Sequence, residues 1–209
     1  MMTLEIKRQE QYSRGELILR TLFGLFYIVL PHAFLLFFVA IAAAFLNFLA
    51  FWAILFTGKY PRSWFDFQVK YIRWSLRVSA RIYNMADGYP RFGLNATDDH
   101  VHFDVEYPEY VSRGSMLLRA IFGWLYVGIP HGFILGLLAM AVAVVNFIAW
   151  WAVLFTGKYP QSMFDFQMIF IRWNQRVSLY LGWMTQEYPP FSGDPDVAPQ
   201  KVENQQTNS

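Results

Sequence analysis

The chain predicts an all-α integral membrane protein built as a tandem duplication, and three observations carry that prediction. Of 209 residues, 56% are hydrophobic and 20% aromatic while only 15% are charged, far from the balance of a water-soluble domain. Two windows, from Thr21 to Gly58 and from Ala120 to Gly157, contain no Asp, Glu, Lys or Arg. A shift of 99 residues aligns Ser13 to Phe92 with Ser112 to Phe191 without a gap, and such self-similarity at a fixed period marks a repeated structural unit.

The elements follow in order. Leu4-Glu5-Ile6-Lys7 lies over Phe103-Asp104-Val105-Glu106, and the apolar and charged alternation predicts a short strand at the start of each copy. A window of 38 residues would be about 57 Å long as one helix, nearly twice a hydrocarbon core of roughly 30 Å. Each window is therefore expected to fold back as a hairpin turning at Pro31-His32 and at Pro130-His131. In the first copy its helices run from about Arg14 to Leu30 and from about Ala33 to Phe56, so the molecule has four transmembrane helices. Two alternatives stay open, one tilted span per unit or a first helix that dips in and returns. In the hairpin arrangement all seventeen Lys and Arg residues fall on one side, as the positive-inside rule requires of spans whose termini are both cytoplasmic.

A third helix is expected from about Ser63 to Met85. Trp64, Phe67, Tyr71, Trp74, Val78 and Ile82 recur at helical steps along one face, with Arg62, Asp66, Lys70, Arg73, Arg77 and Arg81 along another. That pattern predicts an amphipathic helix in the headgroup layer, its bases towards anionic lipid. The units are read as 1–92 and 102–191, with a linker at 93–101 and a disordered polar tail at 192–209. The two units are expected to be related by a pseudo-twofold axis along the membrane normal. The mixed charge of the first ten residues and the length of the apolar run after them argue against a cleavable signal peptide. Zero cysteines exclude disulfides, Cys-ligated zinc and iron–sulfur clusters.

The run Phe56-Thr57-Gly58-Lys59-Tyr60-Pro61, then Phe65-Asp66-Phe67, Arg73-Trp74, Arg77-Val78-Ser79 and Tyr89-Pro90, returns as Phe155 to Pro160, Phe164-Asp165-Phe166, Arg172-Trp173, Arg176-Val177-Ser178 and Tyr188-Pro189-Pro190-Phe191. With these motifs twice in order, the chain resembles a bacterial membrane family classified as domain of unknown function 4389. The resemblance covers nearly all of the chain except linker and tail. The first copy departs from it at Arg91, where the second has Pro190. It implies a small integral membrane module and no particular activity.

Within the repeated run, Gly58 suits a helix cap, Lys59 the negative helix end, Tyr60 a headgroup anchor and Pro61 the next start. Asp66 and Asp165 are the only acids in their helices, and an ion pair from Asp66 to Arg20 would tie the third helix under the hairpin; Arg119 repeats Arg20. The functional alternative for these groups is a proton or headgroup site. His32 and His131 are expected as interfacial turn residues, with a shared metal or pH-sensing site as the sharper reading. Asn47 and Asn146, on a stripe with Ala40 and Ala44 or Ala139 and Ala143, are expected to hydrogen-bond between helices, with a polar path as the alternative. His100, His102 and Asp104 alternate along a strand, the spacing that aims three metal ligands to one face, but nothing repeats them and a solvated face is the plainer reading. Lys59, Lys70, Arg73, Arg77, Arg81, Lys158, Arg172 and Arg176 are expected to contact lipid headgroups.

No nucleophile, base and orienting group combine in the sequence, so an enzyme acting on headgroups ranks last. The leading expectation is a non-enzymatic scaffold or accessory subunit of a bacterial inner membrane, organising a complex or a lipid patch. The alternative is a transporter, channel or lipid-handling protein with a path between the units. Expected partners are anionic membrane lipids and a second copy or another membrane protein. No nucleic acid and no cofactor is expected.

Overall fold

The computed structural model describes residues 1–195. Strand β1 (Met2–Ile6) is followed by helix α1 (Arg14–Thr57), helix α2 (Arg62–Ile82), strand β2 (Val101–Val105), helix α3 (Arg113–Thr156) and helix α4 (Gln161–Leu181). Ser13 and Ser112 open the long helices as N-caps, accepting from the backbone N–H of Glu16 and Ser115. Gly58 and Gly157 close them in the left-handed region, at φ 74° and 71°. There a side chain is strained.

Neither window turns at its proline. Each is one helical run of 44 residues, so among the described residues two helices, not four, are long and apolar enough to cross a membrane. The physical reason lies in a π-helical stretch just before each proline, Leu25–Val29 and Trp124–Gly128, where Leu30 N–H bonds the Leu25 carbonyl and Ile129 N–H the Trp124 carbonyl. A helical proline lacks its own N–H and its ring collides with the carbonyl four residues back. Widening the turn by one residue relieves that collision without breaking the rod.

The long helices are antiparallel. Arg14 donates to the Phe155 carbonyl at 3.0 Å, and Arg113 to the Phe56 carbonyl at 2.9 Å, so each N-terminus meets the other's C-terminus. Backbone bonds repeat the pairing, Tyr12 N–H to Gly157 and Val111 N–H to Gly58, both at 2.8 Å. α2 runs back along α1, with Gln68 donating to the Ala43 carbonyl and Trp74 to His32. β1 and β2 pair antiparallel with Leu4 opposite Phe103, the residues that the 99-residue shift makes equivalent, so the pseudo-twofold axis passes between them. Met2, Leu4, Ile6, Val101, Phe103 and Val105 point into the core, and Glu5, Lys7, His102, Asp104 and Glu106 point out.

The sheet lies on the inner pair of helices: Arg73 of α2 donates to the Phe103 carbonyl at 2.7 Å and Arg172 of α4 to the Leu4 carbonyl at 3.1 Å. The order of layers is therefore sheet, then α2 and α4, then α1 and α3. The third helix of each unit is expected in the headgroup layer with its bases towards lipid; here it is the middle layer, and its bases face the sheet and linker. The expected tail starts too early, since Arg176 donates to the Ser192 and Asp194 carbonyls; its remainder, 196–209, lies outside the described residues.

Candidate functional site

The outward face of α1 and α3 carries most of the large apolar side chains that the fold leaves exposed. Leu17, Arg20, Gly24, Ile28, His32, Ala43, Ala50 and Ile54 form the buried stripe of α1. The opposite stripe, Phe26, Leu30, Phe34, Phe37, Ile41, Phe45, Phe48, Trp52 and Phe56, is exposed along the whole rod. Phe133, Met140, Val144, Phe147, Trp151 and Phe155 continue it on α3. Exposed apolar area of this extent marks an interaction surface.

Behind each rod sits a histidine cluster. His32 and His131 are fully buried, which corrects their placement at an interfacial turn. Trp173 Nε1–H donates to His131 Nδ1 at 2.8 Å. Because the indole N–H can only donate, Nδ1 is the acceptor and the neutral ring carries its proton on Nε2. That proton faces the Tyr188 hydroxyl at 3.1 Å, and the hydroxyl donates onward to the Tyr126 carbonyl at 3.2 Å. Tyr126 is four residues before Pro130, so its carbonyl is the acceptor that the proline leaves without a helical donor. Phe191 stacks on the imidazole at 4.0 Å.

The first unit repeats the arrangement with one link fewer. Trp74 donates to His32 Nδ1 at 2.9 Å, Tyr89 to the Tyr27 carbonyl at 2.9 Å, and Phe92 stacks on His32 at 3.9 Å. His32 Nε2 is buried without a hydrogen-bond partner among the described residues. Each histidine serves its own unit, and they do not meet. Among the described residues no group of three or more His, Asp or Glu could hold a metal ion; His102 and Asp104 face outward on β2, with Asp104 paired to Arg73 at 3.0 Å.

Arg20 is buried, but its carboxylate partners are Asp87 at 2.9 Å and Glu16 at 3.3 Å, with Asn84 and the Ala86 carbonyl as further acceptors. The expected tie to Asp66 is absent, since Asp66 pairs locally with Arg62 at 3.1 Å and Asp165 with Gln161 at 2.8 Å. Arg119 has no carboxylate in place of these, because Ser115 and Gln186 stand where the first unit has Glu16 and Asp87. It donates to the carbonyls of Tyr180, Thr185 and Ser115 and lies over the Tyr180 ring at 4.4 Å.

The residues expected to reach headgroups divide. Arg77 donates to the Gly93 and Ala96 carbonyls, and Arg81 pairs with Asp98 at 2.9 Å with both side chains buried. Lys70, Arg73 and Arg77 line a cavity of 460 Å³ under the linker, beside Asp98 and Asp104. Burial alone would raise the Asp98 carboxyl, but the N–H groups of His100 and Val101 and the Arg81 charge together hold it below its ordinary range. Lys59 and Lys158 stay exposed at the ends of the long helices. Tyr60 and Tyr159, expected at the headgroups, are buried in the core, where loss of hydration pushes both hydroxyls well above the usual phenol range.

Asn47 accepts from the Tyr60 hydroxyl at 3.3 Å and Asn146 from Gln167 at 3.4 Å, so both join neighbouring segments of their own unit. Asn47 also lines a cavity of 430 Å³ between the units, whose walls are α1, α2 and α4. Asn146, His32 and His131 do not line this cavity.

Residues 14–93 and 113–193 match a family described as Domain of unknown function (DUF4389). The chain belongs to this family. Both histidine clusters lie within the DUF4389 matches, as do Arg20 and Arg119, whereas β1 precedes the first match and β2 falls between the two. No curated protein and no solved structure matches the chain. The residues whose role the sequence leaves unread are Tyr89, Phe92, Tyr188 and Phe191, together with Trp74 and Trp173. Their signal is present in the repeated Tyr-Pro, Arg-Trp and final Phe motifs, but only the contacts reveal that these distant pieces meet at the proline.

Proposed function

We propose that this protein is a non-enzymatic membrane scaffold that lies in one leaflet, with α1 and α3 flat in the interface, rather than a bundle that spans the bilayer. The observation that carries this reading is the position of the sheet. It sits beside the stretch of α1 between His32 and Ala43, near the middle of the rod, on the side away from the exposed apolar stripe. Were α1 to span, Glu5, Lys7, Asp104 and Glu106 would be drawn towards the bilayer centre, at about 2.5–3.5 kcal/mol or more for each charge. Fitting a charge-free run of 57 Å into a core of roughly 30 Å would also require a tilt of about 60°, beyond the observed range for spans.

Charge placement argues the same way. Antiparallel spanning rods would put Lys59 and Arg113 on one side and Lys158 and Arg14 on the other, abolishing the asymmetry that orients membrane proteins. Lying flat, the molecule keeps its ionised groups on one side and its twofold axis along the membrane normal. Each large side chain of the stripe then gains roughly 1.5–3 kcal/mol from full burial, and exposed Lys59 and Lys158 reach anionic lipid at the rod ends. A bacterial cytoplasmic membrane with the sheet on the cytoplasmic face fits this reading, with the sheet's charged edge left for a protein partner.

Depth measurement tests it. Spin labels on single cysteines at Phe34, Phe45, Phe133 and Phe147 are expected at one shallow depth, about 5–10 Å below the headgroups. A profile that passes through the bilayer centre along each rod would refute the in-plane arrangement.

A further inference from the structure

We infer that the 430 Å³ cavity between the units is a binding site for one uncharged lipid whose headgroup offers hydroxyl and ester oxygens, such as a diacylglycerol. The volume falls within the range of small-molecule sites. One wall is apolar and narrow in side chain, with Ala40 and Ala44 of α1 and Gly182 after α4. The other carries Tyr71 and Ser75 of α2 and Gln175 of α4, whose hydroxyl and amide groups have no hydrogen-bond partner among the described residues. Asn47 adds an amide NH₂ beside them, its carbonyl oxygen already accepting from Tyr60.

No Asp, Glu, Lys, Arg or His lines this space. An ionised headgroup would find no counter-charge here, whereas ester carbonyls and a free hydroxyl would find donors and acceptors already in position. The placement suits such a ligand. The cavity lies between the layer of the rods and the layer of α2 and α4, the depth at which glycerol and ester groups sit when the rods lie in the interface.

The two units differ here in a way that singles out one side. The residues equivalent to Tyr71, Gln175 and Gly182 are Phe170, Leu76 and Tyr83, which remove two polar groups and fill the space with a ring. One site per chain follows, on a molecule that is otherwise twofold.

The site rests on the membrane reading above, but its test needs no bilayer. The full chain, purified in mild detergent, is titrated with short-chain diacylglycerol and with phosphatidylglycerol of equal chain length, binding being read by thermal shift and native mass spectrometry. The expected result is saturable one-to-one binding of diacylglycerol, at least roughly tenfold weaker binding of the anionic lipid, and a loss of roughly tenfold or more in Tyr71→Phe/Gln175→Leu. Each of those substitutions installs the residue of the sister unit, so folding is retained. Ala44→Phe, which fills the cavity from its apolar wall, should also lose binding. Equal or tighter binding of phosphatidylglycerol, no binding of diacylglycerol, or unchanged binding in variants that keep the wild-type Tm would overturn the assignment. Failure of the depth profile alone would remove the in-plane arrangement and leave this site standing.

Discussion

At the scale of single residues, buried arginines explain why so much of the linker is ordered. Arg77 and Arg81 are held by the carbonyls of Gly93 and Ala96 and by Asp98 in the linker, and both Arg81 and Asp98 side chains are almost wholly out of solvent. Removing one partner of such a pair leaves an uncompensated charge, so Asp98→Asn should destabilise the folded chain by about 3 kcal/mol at neutral pH. The pH dependence has a definite sign. A carboxyl held below its ordinary range in the folded state contributes stability above its unfolded pKa and loses it as the pH falls through the folded value. Denaturation in detergent at pH about 7 and about 3 should therefore show the gap between wild type and Asp98→Asn closing on acidification. A gap that is constant or widens at low pH would contradict the pairing.

At the scale of elements, the 44-residue rods depend on how each proline is accommodated. The π turn relieves the ring collision, and the tyrosine hydroxyl from the end of the same unit satisfies the carbonyl that the proline cannot serve. This makes a specific coupling. Tyr89→Phe should cost about 1 kcal/mol, and the cost should largely vanish in a Pro31→Ala background, where residue 31 again has an N–H for the Tyr27 carbonyl. Additive effects in that double-mutant cycle, read by chemical denaturation, would show that the hydroxyl and the proline act independently.

The same element shows what the chain's own pattern could and could not disclose. The strands, the long apolar runs, the glycine caps at 58 and 157 and the amphipathic third helix are legible, because each is a local pattern. The turn at Pro31-His32 is wrong because a proline signals a break only when nothing nearby replaces the lost bond. The replacement here comes from Tyr89, 58 positions away. The Arg20 partner is misassigned for a related reason: Asp66 and Asp87 are both plausible carboxylates by sequence, and only the path of the chain beyond α2 brings Asp87 back to Arg20. Of the candidate site, the histidines and asparagines stand out in the sequence only because both copies keep them, and the partners that the structure gives them, Trp74, Trp173, Tyr60 and Gln167, arrive from other segments.

At the scale of the whole molecule, three stacked layers separate a charged sheet from two greasy rods, and the in-plane arrangement we propose turns the rods to lipid and the sheet to water. The twofold relation follows the membrane normal in that arrangement and the membrane plane in a spanning one. The rod ends distinguish them most directly. Lys59 and Lys158 are exposed at opposite ends of the antiparallel pair, and a chain without cysteine allows Lys59→Cys and Lys158→Cys to be labelled without background. With a membrane-impermeant maleimide applied to sealed vesicles of each orientation, both positions should react from the same side; reaction of one from each side would contradict the account.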